Sequence, residues 1–242
     1  MITAVSSTFL NRSKNSLSKN GTLNDNAPSV SSRLSGLPFY SRVPKEPGKN
    51  LDYRMRLLEL ATKSEDNRRQ LWCMSARDPL FFINTYCYVY EPRTSSILPF
   101  LTWDFQDRSI LLLEDAIGKS DFGMEKSRDM GATWIVLATF FWRFMFRRRQ
   151  AYGLVSRNED AVDKKDDPDC LFWKIDFMLE NLPQWMRPSL ERSRLSMKNN
   201  ANHSTIMGYS ATGDVARGGR KPAFLMDESA AFAINHGFSA RA

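Results

Sequence analysis

Residues 125–133 read Glu-Lys-Ser-Arg-Asp-Met-Gly-Ala-Thr, and they lie between a short strand-like segment at 122–125 and a strongly apolar run. This order predicts a strand, a loop and then a helix over 133–148. About 90 residues later, residues 224–228 read Phe-Leu-Met-Asp-Glu, an apolar strand that ends in two adjacent carboxylates. In a doubly wound α/β sheet both segments would end at the same carboxyl edge, so we expect them to meet there.

The loop has the spacing of a phosphate-binding loop whose lysine has moved. In the pattern G-x-x-x-x-G-K-[ST], Gly131 and Thr133 keep their places. Ala132 replaces the lysine, and Lys126 stands at the first glycine. Backbone N–H groups of a loop that opens a helix point at a bound anion, and the helix dipole adds to the attraction. The ATP-binding residues predicted in this loop are Lys126, Ser127, Arg128, Asp129, Met130, Gly131, Ala132 and Thr133.

Each charged or polar group near the loop has a predicted role in ATP hydrolysis. Lys126 would reach the β- and γ-phosphates, and the Thr133 hydroxyl would bind Mg²⁺. Asp227 would also bind the Mg²⁺ shell, while Glu228 would orient the attacking water as the catalytic base. Arg128 would act catalytically by reaching the transition-state phosphoryl oxygens as an arginine finger.

One further ATP-binding residue is predicted outside the loop. Gln106 follows an aromatic segment, where its amide would bind the adenine edge, although an ordinary glutamine at a helix start fits equally well. Ordinary structural roles would also explain the other charged residues of the predicted site. Lys126 and Arg128 could be solvated, and the two carboxylates could cap the helix after their strand.

Charge is concentrated at the amino-terminal end of the chain. The formal net charge is +7 over 242 residues, but residues 1–50 hold seven Lys or Arg against two acids. Only +2 remains for residues 51–242, so composition alone does not indicate a basic nucleic-acid-binding face. Residues 1–50 are rich in Ser and Asn and interrupted by prolines, which predicts a disordered extension or, less simply, a transit peptide.

The cysteines predict neither a zinc site nor a disulfide framework, and the most apolar segment does not predict a membrane span. Cys73, Cys87 and Cys170 form no C-x-x-C pair, so we expect reduced thiols rather than a zinc site or a disulfide framework. The run 134–146 contains Arg143 and is shorter than the roughly 20 residues that span a bilayer. It is typical of a buried helix.

Outside the site, the pattern predicts alternating helices and strands. Residues 51–76 are expected to form one or two amphipathic helices, and 78–90 a buried helix or strand. An Asp-rich run at 160–169, interleaved with lysines, is interpreted as a solvated face rather than a metal site. The remaining predictions are a helix at 107–117 whose Leu111, Leu112 and Leu113 face the sheet, a parallel strand at 151–156, a helix at 171–182, a strand pair at 192–198 and 204–210, and a strand at 223–227.

Taken together, these motifs resemble the amino-terminal packaging ATPase domain of the large terminase subunit of tailed bacteriophages. The likeness covers roughly residues 50–230, and some members of that family carry the lysine at the start of the loop. It rests on Asp78-Pro79 and the aromatic residues after it, Leu98-Pro99-Phe100 leading to Gln106, the loop 126–133, Leu182-Pro183 with Trp185, Arg217-Gly218-Gly219-Arg220, and the strand 224–228.

The resemblance implies a three-layer P-loop NTPase fold with a mostly parallel central sheet. It also implies an ATPase motor, with ATP and Mg²⁺ as cofactors, that drives double-stranded DNA into a procapsid in the cytoplasm of a bacterial host. Its implied partners are the DNA, the portal protein, the small terminase subunit and further copies of the chain in a ring. The nuclease domain of the family is not found in this sequence, which favours a truncated ATPase domain over 51–242.

Two alternatives remain open from the sequence. A non-catalytic truncated prophage remnant would bind partners or DNA without hydrolysing ATP. A helicase-like translocase of another P-loop family would ordinarily keep the lysine beside the threonine, where this chain has Ala132. Arg217 and Arg220 would contact phosphate or a DNA backbone in any of these proteins.

Overall fold

A computed structural model describes residues 2–5, 34, 36–125, 130–211 and 221–227, and these form an α/β arrangement with a mixed sheet. The helices are α1 (Pro47–Lys63), α2 (Glu65–Arg77), α3 (Pro79–Tyr86), α4 (Asp104–Ala116), α5 (Ala132–Phe146), α6 (Glu159–Val162) and α7 (Leu171–Glu180), with 3₁₀ turns at Tyr40–Arg42 and Gln184–Met186. The strands are β1 (Ile2–Val5), β2 (Tyr88–Glu91), β3 (Ser96–Pro99), β4 (Phe122–Met124), β5 (Ala151–Ser156), β6 (Leu190–Ser193), β7 (Ser196–Asn199), β8 (Thr205–Ser210) and β9 (Ala223–Met226).

The main sheet has the order β4-β1-β9-β5-β8-β7-β6, and β2 and β3 form a separate hairpin. Strand β5 is parallel to both of its neighbours, β8 and β9, whereas every other described neighbour pair in this sheet is antiparallel. The α/β class is confirmed, but the predicted mostly parallel sheet is wrong. The predicted single strand at 192–198 is also wrong, because Arg194 and Leu195 form a two-residue turn that folds β6 back on β7.

Strand direction nevertheless places the ends of β4 and β9 at one edge of the main sheet. Strands β4 and β9 both run antiparallel to β1, which lies between them, so they point the same way. Strand β9 is also parallel to β5. The carboxyl ends of β4, β5 and β9 therefore share one edge of the sheet, as expected from the motif order.

Helix α5 is the centre of the hydrophobic core. It is buried on almost every side, and its Phe140 ring stacks on Tyr152 of β5 with centroids 4.6 Å apart. The prediction of a buried helix here is confirmed, although α5 ends at Phe146 rather than at 148. Among the described residues, no helix combines the length and the apolar character that a membrane crossing needs.

The helices around α5 differ from prediction in detail. Segment 78–90 contains both alternatives, a buried helix α3 followed by strand β2. Helix α4 begins at Asp104, three residues earlier than expected, and its Leu112 side chain is exposed while Leu111 and Leu113 are buried. Consecutive residues lie about 100° apart on a helix, so three leucines in a row cannot share one face.

Helix α1 crosses the domain boundary predicted at residue 50. Helix α1 starts at Pro47 with Glu46 as its cap, whose carboxylate accepts hydrogen bonds from the N–H groups of Gly48 and Lys49. Proline is favoured at the first helical position, so the Pro47 that suggested a break marks a helix start. Residues 2–5 form β1, and residues 6–33 lie outside the described part of the chain.

Candidate functional site

The site is centred on the meeting of helix α5 with the end of strand β9. Thr133 is the second residue of α5, and its Oγ1 lies 3.5 Å from Asp227 Oδ1. The backbone of Asp227 is fixed because its N–H donates to the Val155 carbonyl of β5 at 3.0 Å. Two neighbouring ligands of octahedral Mg²⁺, each about 2.1 Å from the ion, would be about 3 Å apart. The hydroxyl and the carboxylate are therefore spaced to share one magnesium ion.

Gly131 ends the predicted phosphate loop and caps the start of helix α5. It has φ 68° and ψ 17°, the left-handed region that glycine occupies without steric cost. Its carbonyl accepts the first hydrogen bond of the helix, from Ile135 N at 3.0 Å. The helix amino terminus thus faces the same edge as Asp227, which suits an anion. Other predicted residues, Lys126, Ser127, Arg128, Asp129 and Glu228, lie outside the described residues.

Gln106 joins the loop to helix α4. Its Nε2 donates to the Met130 carbonyl at 3.1 Å, and its Oε1 accepts from the Trp103 N–H at 3.0 Å. It therefore caps the start of α4, which was the simpler of its two interpretations. The contact also places the amide beside the phosphate loop, because Met130 and Gly131 are adjacent. Binding of an adenine edge by this amide stays a prediction.

An aromatic cavity of about 470 Å³ opens beside Gln106. The indole rings of Trp103 and Trp134 and residues of the β2–β3 hairpin line it. Its volume lies within the range of small-molecule sites, and π-faces suit a planar base. These aromatic residues were not predicted to line a cavity, because aromatic residues in a sequence usually indicate a core. The 66% exposure of Trp103 depends on the tertiary fold. The lining residues are Val89, Tyr90, Glu91, Pro92, Arg93, Leu98, Pro99, Phe100, Leu101, Trp103, Gln106, Met130, Gly131 and Trp134.

Lys174 places a positive charge near Asp227. The sequence did not predict this residue as part of the site. Its Nζ donates to the carbonyls of Pro168 and Asp169, both at 2.8 Å. Burial lowers the pKa of the Lys174 ammonium, and the carboxylates of Asp169 and Asp227 oppose that effect. The loop it holds lines a second cavity, of about 420 Å³, that includes Asp227. A lysine in an apolar helix gave no signal of this placement.

The Asp-rich run at 160–169 is largely engaged by cations. Asp163 accepts two hydrogen bonds from Arg192, and Arg194 and Lys164 pair with two of the other aspartates, Asp160 and Asp167. Within the part of the chain that is described, no three His, Cys, Asp or Glu side chains converge as a metal site. A magnesium ion between Thr133 and Asp227 would therefore need phosphate oxygens and water as its other ligands, which is its usual habit with nucleotides.

Replacing Gly131 with alanine should damage both folding and ligand binding. A Cβ there would lie 3.2 Å from Gln106 Nε2 and would adopt left-handed backbone, at a cost of about 1 kcal/mol. Gly118→Ala is the matched control, since Gly118 has φ 79° but nothing within 4 Å of the added Cβ. We expect both variants to lose about 1 kcal/mol of stability in urea unfolding, but only Gly131→Ala to weaken Mg-ATP binding in calorimetry. Equal ATP affinities of the two variants would contradict this role of the loop.

The sheet edge thus combines a helix amino terminus, a hydroxyl, a carboxylate and an aromatic cavity. This set suits a magnesium-bound nucleoside phosphate, with the phosphates at α5 and the base beside Gln106. Arg217 and Arg220 lie outside the described residues. A scan against protein-family models gives no match, and no curated protein matches the chain significantly.

Proposed function

We propose that this chain is the ATPase motor domain of a phage terminase large subunit, with a P-loop NTPase fold. It would hydrolyse Mg-ATP to drive double-stranded DNA into a procapsid in the cytoplasm of the bacterial host. Its partners would be the DNA, the portal protein, the small terminase subunit and further copies of itself in a ring. These partners follow from the resemblance of its motifs to that family.

The observation that carries the proposal is the 3.5 Å approach of Thr133 Oγ1 to Asp227 Oδ1. The two residues are 94 positions apart in sequence, and each was expected at the magnesium ion for an independent reason. Helix capping by Asp227, the plain structural alternative, does not require this approach. Their approach supports the pairing of a phosphate loop with an acidic strand end.

The local architecture supports the same assignment. Strand β4 is followed along the chain by helix α5, which is the order that a phosphate-binding loop requires. Strand β5 lies beside β9, and both end at the edge where α5 begins. In open α/β sheets ligands bind at this edge.

Each residue then has a role in hydrolysis. Thr133 and Asp227 would hold Mg²⁺ on the β- and γ-phosphate oxygens, and Lys126 would neutralise the same phosphates. Glu228, next to Asp227, would accept a proton from the attacking water. Arg128 would stabilise charge on the phosphoryl oxygens in the transition state.

The test is Mg-ATP binding by calorimetry on the folded 242-residue chain. Lys126→Ala should weaken binding about 10- to 100-fold, because a charge-assisted hydrogen bond contributes about 1.5–3 kcal/mol. Thr133→Val keeps the side-chain shape and should remove mainly the Mg²⁺-dependent part of the affinity. Lys119→Ala, at an exposed lysine before β4, is the control and should bind as the parent does.

Two outcomes would count against the proposal. If the folded parent chain did not bind Mg-ATP at micromolar to millimolar concentrations, the nucleotide site would be wrong. If Lys126→Ala bound as tightly as Lys119→Ala, the displaced lysine would not be the phosphate ligand.

A further inference from the structure

We propose that the turn formed by Arg147, Arg148 and Arg149, here called the arginine turn, binds the phosphate backbone of duplex DNA. All three residues are exposed and follow helix α5 directly. The inference rests on the proposed function for the identity of the polyanion. It goes beyond that function by naming the surface at which the DNA is held.

The backbone of the arginine turn is held rigidly. Asn202 Nδ2 donates to the carbonyls of Phe144 and Met145, and the Asn202 carbonyl accepts from Arg149 N at 2.9 Å. Ser204 Oγ donates to the Arg147 carbonyl at 2.8 Å and accepts from Gln150 N. The turn therefore presents its three guanidinium groups from a fixed base, which lowers the entropy lost on binding.

Arg149 occupies a conformation that arginine rarely adopts. Its φ is 54°, and His203, next to its hydrogen-bond partner Asn202, has φ 60°. Glycine or asparagine is the usual residue in left-handed backbone after a helix. An arginine in this position carries a backbone cost that glycine would avoid, and the turn nevertheless holds a third cation there.

The charge of the arginine turn is unbalanced. Arg143 pairs with Glu114 at 2.7 Å, Arg192 with Asp163 and Asp176 at 2.9 Å, and Arg194 with Glu159 and Asp160. Among the described residues, by contrast, no acidic side chain forms an ion pair with Arg147, Arg148 or Arg149. Arg147 instead stacks on the Trp142 ring at 4.6 Å. Carboxylates thus neutralise Arg143, Arg192 and Arg194, whereas the arginine turn keeps its positive charge.

The charge density of the arginine turn fits the phosphate backbone of duplex DNA. The Cα atoms of Arg147, Arg148 and Arg149 span less than about 8 Å. B-DNA carries one negative charge per about 1.7 Å of its axis, so the turn and the duplex are both densely charged. Guanidinium groups match phosphate oxygens in bidentate geometry. None of the exposed large hydrophobic side chains in the described residues belongs to the arginine turn or to residues 199–204. The patch is therefore cationic without an exposed apolar anchor, which favours contacts to phosphate over insertion into a membrane.

The arginine turn and the nucleotide site lie at opposite ends of helix α5. The helix begins after Gly131 and ends at Phe146, a length of 15 residues, or about 22 Å. Bound DNA would not obstruct the phosphate loop. One buried, rigid helix would instead connect the loop that holds ATP to the surface that holds DNA.

The experiment measures binding of a fluorescent 30-base-pair duplex by anisotropy, without nucleotide, over a range of salt concentrations. The variant Arg147→Gln/Arg148→Gln/Arg149→Gln is compared with Arg56→Gln/Lys63→Gln/Arg69→Gln, which removes equal charge from exposed positions on α1 and α2. The basic residues before α1 contribute equally to both. At about 0.1 M salt we expect about 100-fold weaker binding for the turn variant and a salt slope lower by about 2.7. The control should change less than about 2-fold.

Two further variants separate binding from folding. Arg148→Gln/Arg149→Gln keeps the Arg147–Trp142 contact and should still lose about 10-fold or more in DNA affinity. Arg149→Gly relieves the left-handed strain, so its Tm should rise by about 2 °C while DNA binding weakens. A variant that is more stable yet binds DNA less well is the result that a purely structural turn would not give.

Equal losses in the turn variant and the charge-matched control would overturn the proposal, since only net charge would then matter. So would loss of binding to anionic phosphatidylserine vesicles with unchanged duplex binding, because the turn would then contact a membrane. Calorimetry with Mg-ATP on the same variants separates the two proposals. Turn-dependent duplex binding by a chain without ATP affinity would support the DNA surface and sink the ATPase.

Discussion

Replacing Glu228 with glutamine is expected to slow ATP hydrolysis by about 100-fold or more while leaving Mg-ATP binding intact. Glutamine keeps the size and hydrogen-bonding reach of glutamate but cannot accept the proton of the attacking water. The position follows Asp227, which the fold places 3.5 Å from the Thr133 hydroxyl. If Asp227 binds Mg²⁺ as proposed, the residue that follows it is well situated to orient water toward the γ-phosphate.

Two further substitutions separate the role of Glu228 from metal binding and from a loss of charge elsewhere. Asp227→Asn should instead weaken the Mg²⁺-dependent part of ATP binding, because it removes a charged ligand. Glu180→Gln, at an exposed acid that ends α7, makes the same chemical change away from the site and should hydrolyse ATP at the parental rate. Steady-state phosphate release and calorimetry on all three variants separate the roles. Parental turnover by Glu228→Gln would mean that another residue activates the water.

The sequence was most informative about which segments would meet, since Thr133 and Asp227 approach to 3.5 Å as the motif order predicted. Gly131 and Thr133 were predicted from spacing alone, and Asp227 from the end of an apolar strand. Trp103 and Lys174 were missed because their neighbours come from distant segments. An aromatic residue beside a loop has the same local pattern whether it packs in a core or lines a cavity, so only the tertiary fold distinguishes the two.

Element types were predicted better than strand directions. Strand β5 and helix α5 are long apolar segments with clear ends, and the structure confirms both. The antiparallel place of β7 could not be predicted, because alternation of side chains specifies a strand but not its direction. Strand β1 was not predicted at all, since residues 1–50 were expected to be disordered. Direction depends on which neighbour supplies the hydrogen bonds.

The largest difference concerns the residues before α1, whose polar composition suggested disorder. Tyr40 and Lys45 instead enter a network of hydrogen bonds with Asp107. The Tyr40 hydroxyl and the Thr102 hydroxyl both donate to the Asp107 carboxylate, and Lys45 Nζ lies 3.3 Å from it. Lys45 also donates to Thr102 Oγ1 at 2.9 Å and to Asn84 Oδ1 at 3.2 Å. Composition cannot indicate that polar side chains will satisfy one another inside a fold.

This network predicts that Asp107→Ala will be strongly destabilising. The Asp107 side chain is only 4% exposed, and its removal leaves the Lys45 ammonium and two hydroxyl groups without their shared acceptor. Removing one partner of a buried ion pair typically costs about 3–5 kcal/mol. We expect about 3 kcal/mol in urea unfolding, at the low end because the Lys45 side chain is 36% exposed. Trypsin should also cleave more readily at Arg42 if the segment before α1 loses its anchor.

The matched comparison is the exposed pair Lys198–Glu191, whose side chains are 42% and 63% exposed. Glu191→Ala should change stability by less than about 0.5 kcal/mol, since exposed ion pairs contribute little. Lys45→Met removes the charge that Asp107→Ala leaves unpaired, so adding it to Asp107→Ala should cost less than it does in the parent chain. A double-mutant cycle should therefore give a coupling of about 1–2 kcal/mol. A loss of stability in Asp107→Ala no greater than that in Glu191→Ala would mean that Tyr40 and Lys45 are not held to the fold through this carboxylate.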